Sequence, residues 1–333
     1  MKAEETVKKT IEANGLIPAG STVILALSGG PDSLCLLHML LGLRARSGFD
    51  LHALHVNHMI RGREADEDEA FVAETCKELG VPVKIVKKDI PAMAKEQGLS
   101  EEDAGRRVRY QALFEYKREL EEGGRTVLIA LAHNRDDQAE TVLMRIIRGT
   151  GVHGLGAMEY KRKDGVIRPL LDTSREAVEE YCQRKGLSPR IDRTNGTGEY
   201  TRNDIRLRVL PALEECSPRV KDSLVRLAAF AREDDARLRK EAEEILEKDC
   251  VFASGSAVLR TSLINDLSPA VSKRIIALAL AELGLSEDLS AERIAAVLSA
   301  SKSGRGGLTI ELPRGFRALI SKGKLTLASP GGK

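Results

Sequence analysis

Short apolar runs recur along the first part of the chain, each followed by a longer segment with helical periodicity. Val23-Ile24-Leu25-Ala26-Leu27 reads as a strand, 34–46 as a helix, Leu51-His52-Ala53-Leu54-His55-Val56 as a second strand and 64–79 as an acidic helix. A third strand is expected at 83–86, a long helix at 101–121, a fourth strand at 126–131 and a helix at 136–148. Strands alternating with helices of this length predict a doubly wound α/β fold, a parallel sheet covered on both faces. The pattern changes after Pro211. Residues 217–247 carry Leu224, Leu227, Ala228, Ala231 and Leu238 on one helical face; helices near 269–283 and 291–300 follow, and then a β-rich tail at 308–327. The expected organisation is an α/β domain at 1–213 and a smaller, mainly helical α+β domain at 214–333.

Between the first strand and its helix lies Ser28-Gly29-Gly30-Pro31-Asp32-Ser33. Two glycines let the backbone turn sharply and approach an anion, and the N–H groups opening the helix favour negative charge. Ser28 and Ser33 add hydroxyl donors, and Asp32 can hold a divalent cation against phosphates. The plainer reading is a capped glycine turn. The segment resembles the pyrophosphate-binding loop of the N-type ATP pyrophosphatases, S-G-G-x-D-S, with Pro31 at the free position. That resemblance implies a sheet of the ATP-pyrophosphatase type, binding of ATP by Ser28–Ser33, Mg²⁺ held with the help of Asp32, and cleavage between the α- and β-phosphates. The G-x-x-x-x-G-K-[ST] loop of γ-phosphate kinases and GTPases does not occur.

Composition narrows the classes further. Hydrophobic content of 42% with 31% charged residues describes a globular chain, and 3% aromatics without Trp argues against a broad base-stacking surface. Fifty-two basic against 50 acidic residues leave +2, so any nucleic-acid contact must be local. Cys35, Cys76, Cys182, Cys216 and Cys250 are dispersed without a C-x-x-C pair, which disfavours a zinc site, a cluster or a disulfide framework. Residues 1–15 lack the apolar core of a signal peptide, and the longest apolar stretch, 34–43, is too short to span a bilayer; a cytoplasmic protein with no membrane partner is expected.

A second group of polar residues, His133-Asn134-Arg135-Asp136-Asp137-Gln138-Ala139-Glu140-Thr141, follows the fourth strand. On a helix, Asp137, Glu140, Thr141, Met144 and Arg148 share one face and Ala139, Val142, Leu143 and Ile146 the other, so the acids are expected to point away from the core. They could bind a substrate ammonium group or a metal; the plainer reading is favourable dipole chemistry at a helix N-terminus. This segment is similar to the A-H-x-x-D-D-Q-x-E-T signature of the tRNA-isoleucine lysidine synthetases. So are His55-Val56-Asn57-His58 with Arg61-Gly62 and Ala65, Arg106 with Arg109-Tyr110, Arg148-Gly149-Thr150-Gly151 with Gly154-Leu155, Arg168-Pro169-Leu170-Leu171, and Tyr200 with Arg202, Asn203, Ile205 and Arg206.

The lysidine synthetase resemblance implies ATP-dependent ligation of L-lysine to C2 of the wobble cytidine of the isoleucine tRNA with a CAU anticodon, through an adenylated base. Asp137, Glu140 and Arg206 become the expected catalytic and lysine-binding residues. Arg61, Arg106, Arg109, Arg145, Arg148 and Arg202 become the expected tRNA contacts. Asn134 stands where the family often has a second His, with little consequence expected. Residues after the boundary look like the family's helical accessory domain, and longer members carry a further C-terminal domain. A homodimer is carried as an expectation; the sequence itself does not set the oligomeric state. The alternatives are a tRNA thiolase of the same ATP-binding class, which the dispersed cysteines disfavour, and a non-enzymatic RNA-binding relative, against which an intact Asp32, Asp137 and Glu140 speak.

Other patterns carry less. Gly149-x-Gly151-x-x-Gly154 follows a helix rather than a strand, so it is read as a loop near the site, not a dinucleotide fingerprint. His52, His55 and His58 are spaced by three, which on a strand sends successive side chains to opposite faces. Asn195-Gly196-Thr197 is a glycosylation sequon without meaning in the cytoplasm. Basic residues outnumber acids at 184–208 and at 302–324, which could place tRNA phosphates there.

Overall fold

The computed structural model describes residues 2–190, 200–285 and 289–331. Asp192, Arg193, the sequon, Glu199 and the Tyr200 side chain lie outside the described residues. The chain forms two compact units, one of Met1–Arg148 with Ala157–Arg226, the other of Gly149–Gly156 with Leu227–Lys333.

The first unit begins with α1 (Ala3–Ala13), β1 (Thr22–Ala26), α2 (Pro31–Ser47), β2 (Asp50–Asn57), α3 (Arg63–Glu78) and β3 (Val83–Lys87). It continues through α4 (Ile90–Gln97), α5 (Glu101–Glu121), β4 (Val127–Ala130) and α6 (Arg135–Ile147). The helical turn α7 (Val152–Leu155) belongs to the second unit. The first unit resumes with β5 (Val166–Ile167), α8 (Arg175–Lys185), α9 (Tyr200–Asp204), one turn of π-helix (Ile205–Val209), α10 (Leu210–Cys216) and the start of α11 (Val220–Asp249). Among the described residues the sheet order is β3-β2-β1-β4-β5, every pair parallel.

This sheet explains the unbroken apolar runs. Val23 and Leu25 of β1 pack with α1, α2, α3 and α8, whereas Ile24 between them packs with Ala112 and Leu113 of α5. Both faces are covered, so successive residues are buried and no polar alternation is left. From β1 the chain steps outward through β2 to β3, then returns to place β4 on the other side of β1. The loops after β1 and β4 therefore diverge and open a crevice at the carboxyl edge, the place where such sheets bind ligands. The alternation read from the sequence is present, with α1, α4, α8 and β5 added to it.

The second unit is built on an antiparallel sheet, β6 (Val251–Ala253), β7 (Ser256–Arg260), β8 (Leu308–Glu311), β9 (Arg317–Ser321) and β10 (Lys324–Ala328), in the order β6-β7-β10-β9-β8. Helices α12 (Thr261–Asp266), α13 (Pro269–Glu282) and α14 (Ala291–Lys302) bury Ile264, Ile275, Ile276 and Val297 against Leu259, Ile320, Leu325 and Leu327. The sheet is larger than the tail expected at 308–327, because β6 and β7 precede the helices. Their hairpin turns at Ser254 (φ 46°) and Gly255 (φ 77°), the two left-handed residues a tight two-residue turn requires. The segment 149–156 is not an open loop: Arg232 Nη1 donates to the Gly156 carbonyl at 2.8 Å and His153 Nδ1 lies 2.8 Å from Asp235 Oδ2.

Candidate active site

The turn Ser28–Ser33 joins β1 to α2 at the crevice, and its own hydrogen bonds hold it open. Ser33 Oγ accepts from the Ser28 N–H at 3.2 Å, lies 3.1 Å from Ser28 Oγ and reaches the Gly30 carbonyl at 3.1 Å. Ser28 Oγ in turn accepts from the Gly30 N–H at 3.3 Å. Pro31 occupies the first helical position, where a missing N–H is no loss. Gly29 sits at φ 87°, and its carbonyl accepts from the Arg190 N–H at 3.0 Å. A Cβ there would be strained and would stand 3.4 Å from Val72 Cγ2. Gly29→Ala is accordingly expected to lower stability by about 1–3 kcal/mol and to weaken ATP binding; denaturant titration and calorimetry of ATP binding check both.

Asp32, in the first turn of α2, is mostly buried, and this burial raises its carboxyl above the usual range. Asn134 opposes that rise by donating from Nδ2 to Asp32 Oδ1 at 2.7 Å. Asn134 is itself fully buried and caps α6: its Oδ1 accepts from the Asp137 N–H at 3.0 Å, and its own N–H donates to Asp137 Oδ2 at 3.0 Å. One side chain therefore links the loop after β1 to the carboxylates after β4, across the point where the strand order reverses. Asn134, at the position where little consequence was expected, makes three hydrogen bonds that join these elements. Its neighbours show why: an amide can donate to one carboxylate while accepting from the helix N-terminus that orients another. Removing the donor in Asn134→Ala raises the Asp32 pKa further, so the acidic limb of a pH–rate profile that needs ionised Asp32 is expected to move to higher pH. Loss of the cap also costs about 0.5–2 kcal/mol, read by thermal unfolding.

Asp137 and Glu140 do not face solvent as helical periodicity suggested; both are buried, Glu140 to 2% exposure. The segment 200–210 covers them. Ile205 and Leu210 pack on Leu143, while Arg206 donates to Glu140 at 2.6 and 3.0 Å and to Asp137 at 3.1 Å. Arg202 donates to Glu140 at 3.0 Å and to Asp137 at 3.2 Å. Arg175 lies 3.6 Å from Asp137 Oδ1. A polar helix face is thus buried because three guanidiniums neutralise two carboxylates, which ordinary burial forbids for unpaired charge.

These elements surround a cavity of about 580 Å³, within the range of small-molecule sites. Ser28, Gly30, Pro31, Asp32, Ser33, Arg61, Arg109, Arg175, Arg190 and Arg206 line it, as do His55, His58 and His133. Asp137 and Glu140 stand behind Arg206 and Arg175 rather than at the wall. Arg106 stacks 5.0 Å above the Tyr110 ring, Arg145 donates to the Ala157 carbonyl at 3.1 Å, and Arg148 is exposed at the end of α6. The structure thus brings Arg61, Arg109 and Arg206 to the cavity, sets Arg202 in the carboxylate cluster, and leaves Arg106, Arg145 and Arg148 outside the cavity wall. His55 Nδ1 lies 2.8 Å from the Leu27 carbonyl, and His52 Nδ1 lies 2.8 Å from the Tyr116 hydroxyl. His58 and His133 are held neutral: burial, with nearby arginines, pushes them down to about 4 and about 3.

Fold and loop together define a PP-loop domain protein, and the model of that domain family matches residues 1–213. The chain is 34% identical over 328 residues to the tRNA(Ile)-lysidine synthase of Clostridioides difficile, covering 98% of this chain and 70% of that protein. It is 40% identical over 274 residues to the tRNA(Ile)-lysidine synthase of Caldanaerobacter subterraneus subsp. tengcongensis, covering 82% of this chain. This chain belongs to the tRNA(Ile)-lysidine synthase family. It spans 57% of the length of the Caldanaerobacter relative. A U34-tRNA thiolase from Methanococcus maripaludis matches the fold with a TM-score of 0.56 and 24% identity, over 69% of this chain and 78% of that one. No helix among the described residues is long and apolar enough to cross a membrane.

Proposed function

We propose that this protein uses ATP to ligate L-lysine to C2 of the wobble cytidine of isoleucine tRNA bearing a CAU anticodon, forming lysidine and releasing AMP and pyrophosphate. The observation that carries the reading is a cavity lined by the Ser28–Ser33 turn, with buried Asn134 tying that turn to Asp137 behind the wall, in a chain of this family. Residues 1–213 are proposed as the catalytic domain and 214–333 as a tRNA-binding accessory domain, with 302–324 contributing basic residues. The setting is cytoplasmic, and a homodimer is part of the proposal.

The chemistry follows from what each group can do. The loop N–H groups, the N-terminus of α2 and the hydroxyls of Ser28 and Ser33 hold the phosphates. Asp32 is the residue here that would hold Mg²⁺, whose charge stabilises phosphate oxygens as negative charge develops; a desolvated carboxylate with one oxygen fixed by Asn134 suits that task. The cytidine O2 bonds to the α-phosphorus as the bond to the β-phosphate bridging oxygen breaks. The ε-nitrogen of lysine then bonds to C2, AMP leaves, and a carboxylate takes the proton shed by nitrogen. Adenylation is needed because the base oxygen alone is a poor leaving group.

Zwitterionic lysine suits a cluster of three guanidiniums and two carboxylates. Its carboxylate meets Arg206 at the cavity wall, and an ammonium group takes the place of an arginine on Asp137 or Glu140, so each internal ion pair is exchanged rather than lost. Arg106, Arg109, Arg145, Arg148 and Arg202 are the proposed tRNA-side cations.

The decisive experiment combines purified protein, ATP, Mg²⁺, labelled lysine and isoleucine tRNA transcript. Label entering the RNA with matching AMP and pyrophosphate supports the proposal. Sulfur incorporation, or tight tRNA binding with no ATP turnover, would replace it.

A further inference from the structure

We infer that Arg190 and Arg61, both anchored on Asp68, form a cationic grip for the pyrophosphate end of the nucleotide; this rests on the ATP-cleaving function proposed above. The loop supplies only neutral donors and the acidic Asp32, without the lysine of a P-loop. Pyrophosphate leaving it carries several negative charges, more than one Mg²⁺ would neutralise, so cationic side chains elsewhere in the cavity would complete the neutralisation. Its guanidiniums are those of Arg61, Arg109, Arg175, Arg190 and Arg206. Arg175 and Arg206 face Asp137, and Arg109 comes from α5, near His58.

Arg190 alone is fastened to the loop itself. Its N–H donates to the Gly29 carbonyl at 3.0 Å, and its Cγ lies 3.8 Å from where a Gly29 Cβ would stand. Its side chain then turns to α3, Nε donating to Asp68 Oδ1 at 2.8 Å and Nη2 to Glu67 at 3.2 Å. The other Asp68 oxygen accepts from Arg61 Nη2 at 2.7 Å. Asp68 thus holds two cations side by side at the apex of the phosphate turn, and all three residues line the cavity. A guanidinium carries five N–H donors in a fixed fork, so it can bind a phosphate while keeping its carboxylate anchor. This function differs from the tRNA contact expected of Arg61: the geometry assigns that side chain to the leaving group. The acidic stretch of α3 contains the anchor.

Calorimetric titration of the full chain with inorganic pyrophosphate, ATP and AMP, each with Mg²⁺, tests the assignment. Arg190→Gln keeps the main-chain bond to Gly29 and removes the cation with its bonds to Asp68 and Glu67; Arg61→Gln removes the second cation without touching the loop. Each variant is expected to bind pyrophosphate and ATP roughly 10- to 100-fold more weakly, as loss of a charge-assisted hydrogen bond does, with AMP affinity unchanged. Asp68→Asn, a positioning change, should weaken pyrophosphate while raising KM for ATP more than it lowers kcat. Pyrophosphate affinity within twofold of the parent in both arginine variants, or an equal loss for AMP, overturns the grip while leaving the nucleotide reading intact. Parent protein that binds neither ATP nor pyrophosphate overturns both. Should Arg190→Gln lower the melting temperature, Arg61→Gln decides.

Discussion

Asp32→Asn is expected to abolish AMP formation, by on the order of 10³-fold or more, while leaving the protein at least as stable as its parent at neutral pH. The two halves of this result have one cause. Burial raises the Asp32 carboxyl, so folding is penalised when that group is ionised. A group whose folded pKa is raised contributes its stability when protonated, at low pH, and loses it as pH climbs through the folded value. Asn mimics the protonated form at every pH. The variant's stability margin should therefore be greatest above the folded pKa of Asp32 and vanish in acid. The Asn134 contact survives in a neutral form, so α6 keeps its start. Chemical denaturation at several pH values, run beside AMP release, reads both effects. A variant that turns over ATP normally would remove Asp32 from the proposed metal site.

Glu140→Ala is expected to cost about 3–5 kcal/mol, the range for removing one member of a buried ion cluster. Its carboxylate accepts from Arg202 Nε and from both Nε and Nη2 of Arg206. Without it three guanidiniums share Asp137 alone, and the segment 200–210 loses its main attachment to α6 apart from Ile205 and Leu210 on Leu143. Glu140→Gln keeps the shape and part of the bonding, so it should cost less yet still impair lysine use. Hydrogen exchange along 200–216 locates the loosening, and lysine titration of the Gln variant separates binding from folding. A Glu140→Ala protein as stable as its parent would show the cluster to be electrostatically neutral to the fold.

What could be read beforehand depended on how far apart the partners lie. Ser28–Ser33 is a local pattern, and its turn, its helix and its position at a strand end all follow from six neighbouring residues. The four main strands were legible because both faces are covered. By contrast, β5 has two residues and β6 three exposed ones, too short for periodicity to register. The Ser254-Gly255 turn between β6 and β7 was the available signal. Ser174 and Asp89, whose side chains cap α8 and α4, were equally available. The placement of Asp137 and Glu140 was another matter. A polar helix face reads as solvent-facing unless a complementary face is known, and here it comes from Arg202 and Arg206, more than 60 positions later. Asn134 meets Asp32 across 102 positions, and no local rule would have paired them.

The turn of π-helix at Ile205–Val209 sets a limit on chain length rather than on residue choice. Such a turn holds one residue more than an α-helical turn would. Dropping one residue from it would remove the wide turn that presents Arg206 to Glu140, while the helical segments on either side keep their phase. Substitutions at exposed Leu207 or Arg208 leave that count unchanged. Single-residue deletions between 205 and 209 should therefore be far less tolerated in a library than point changes at the same positions.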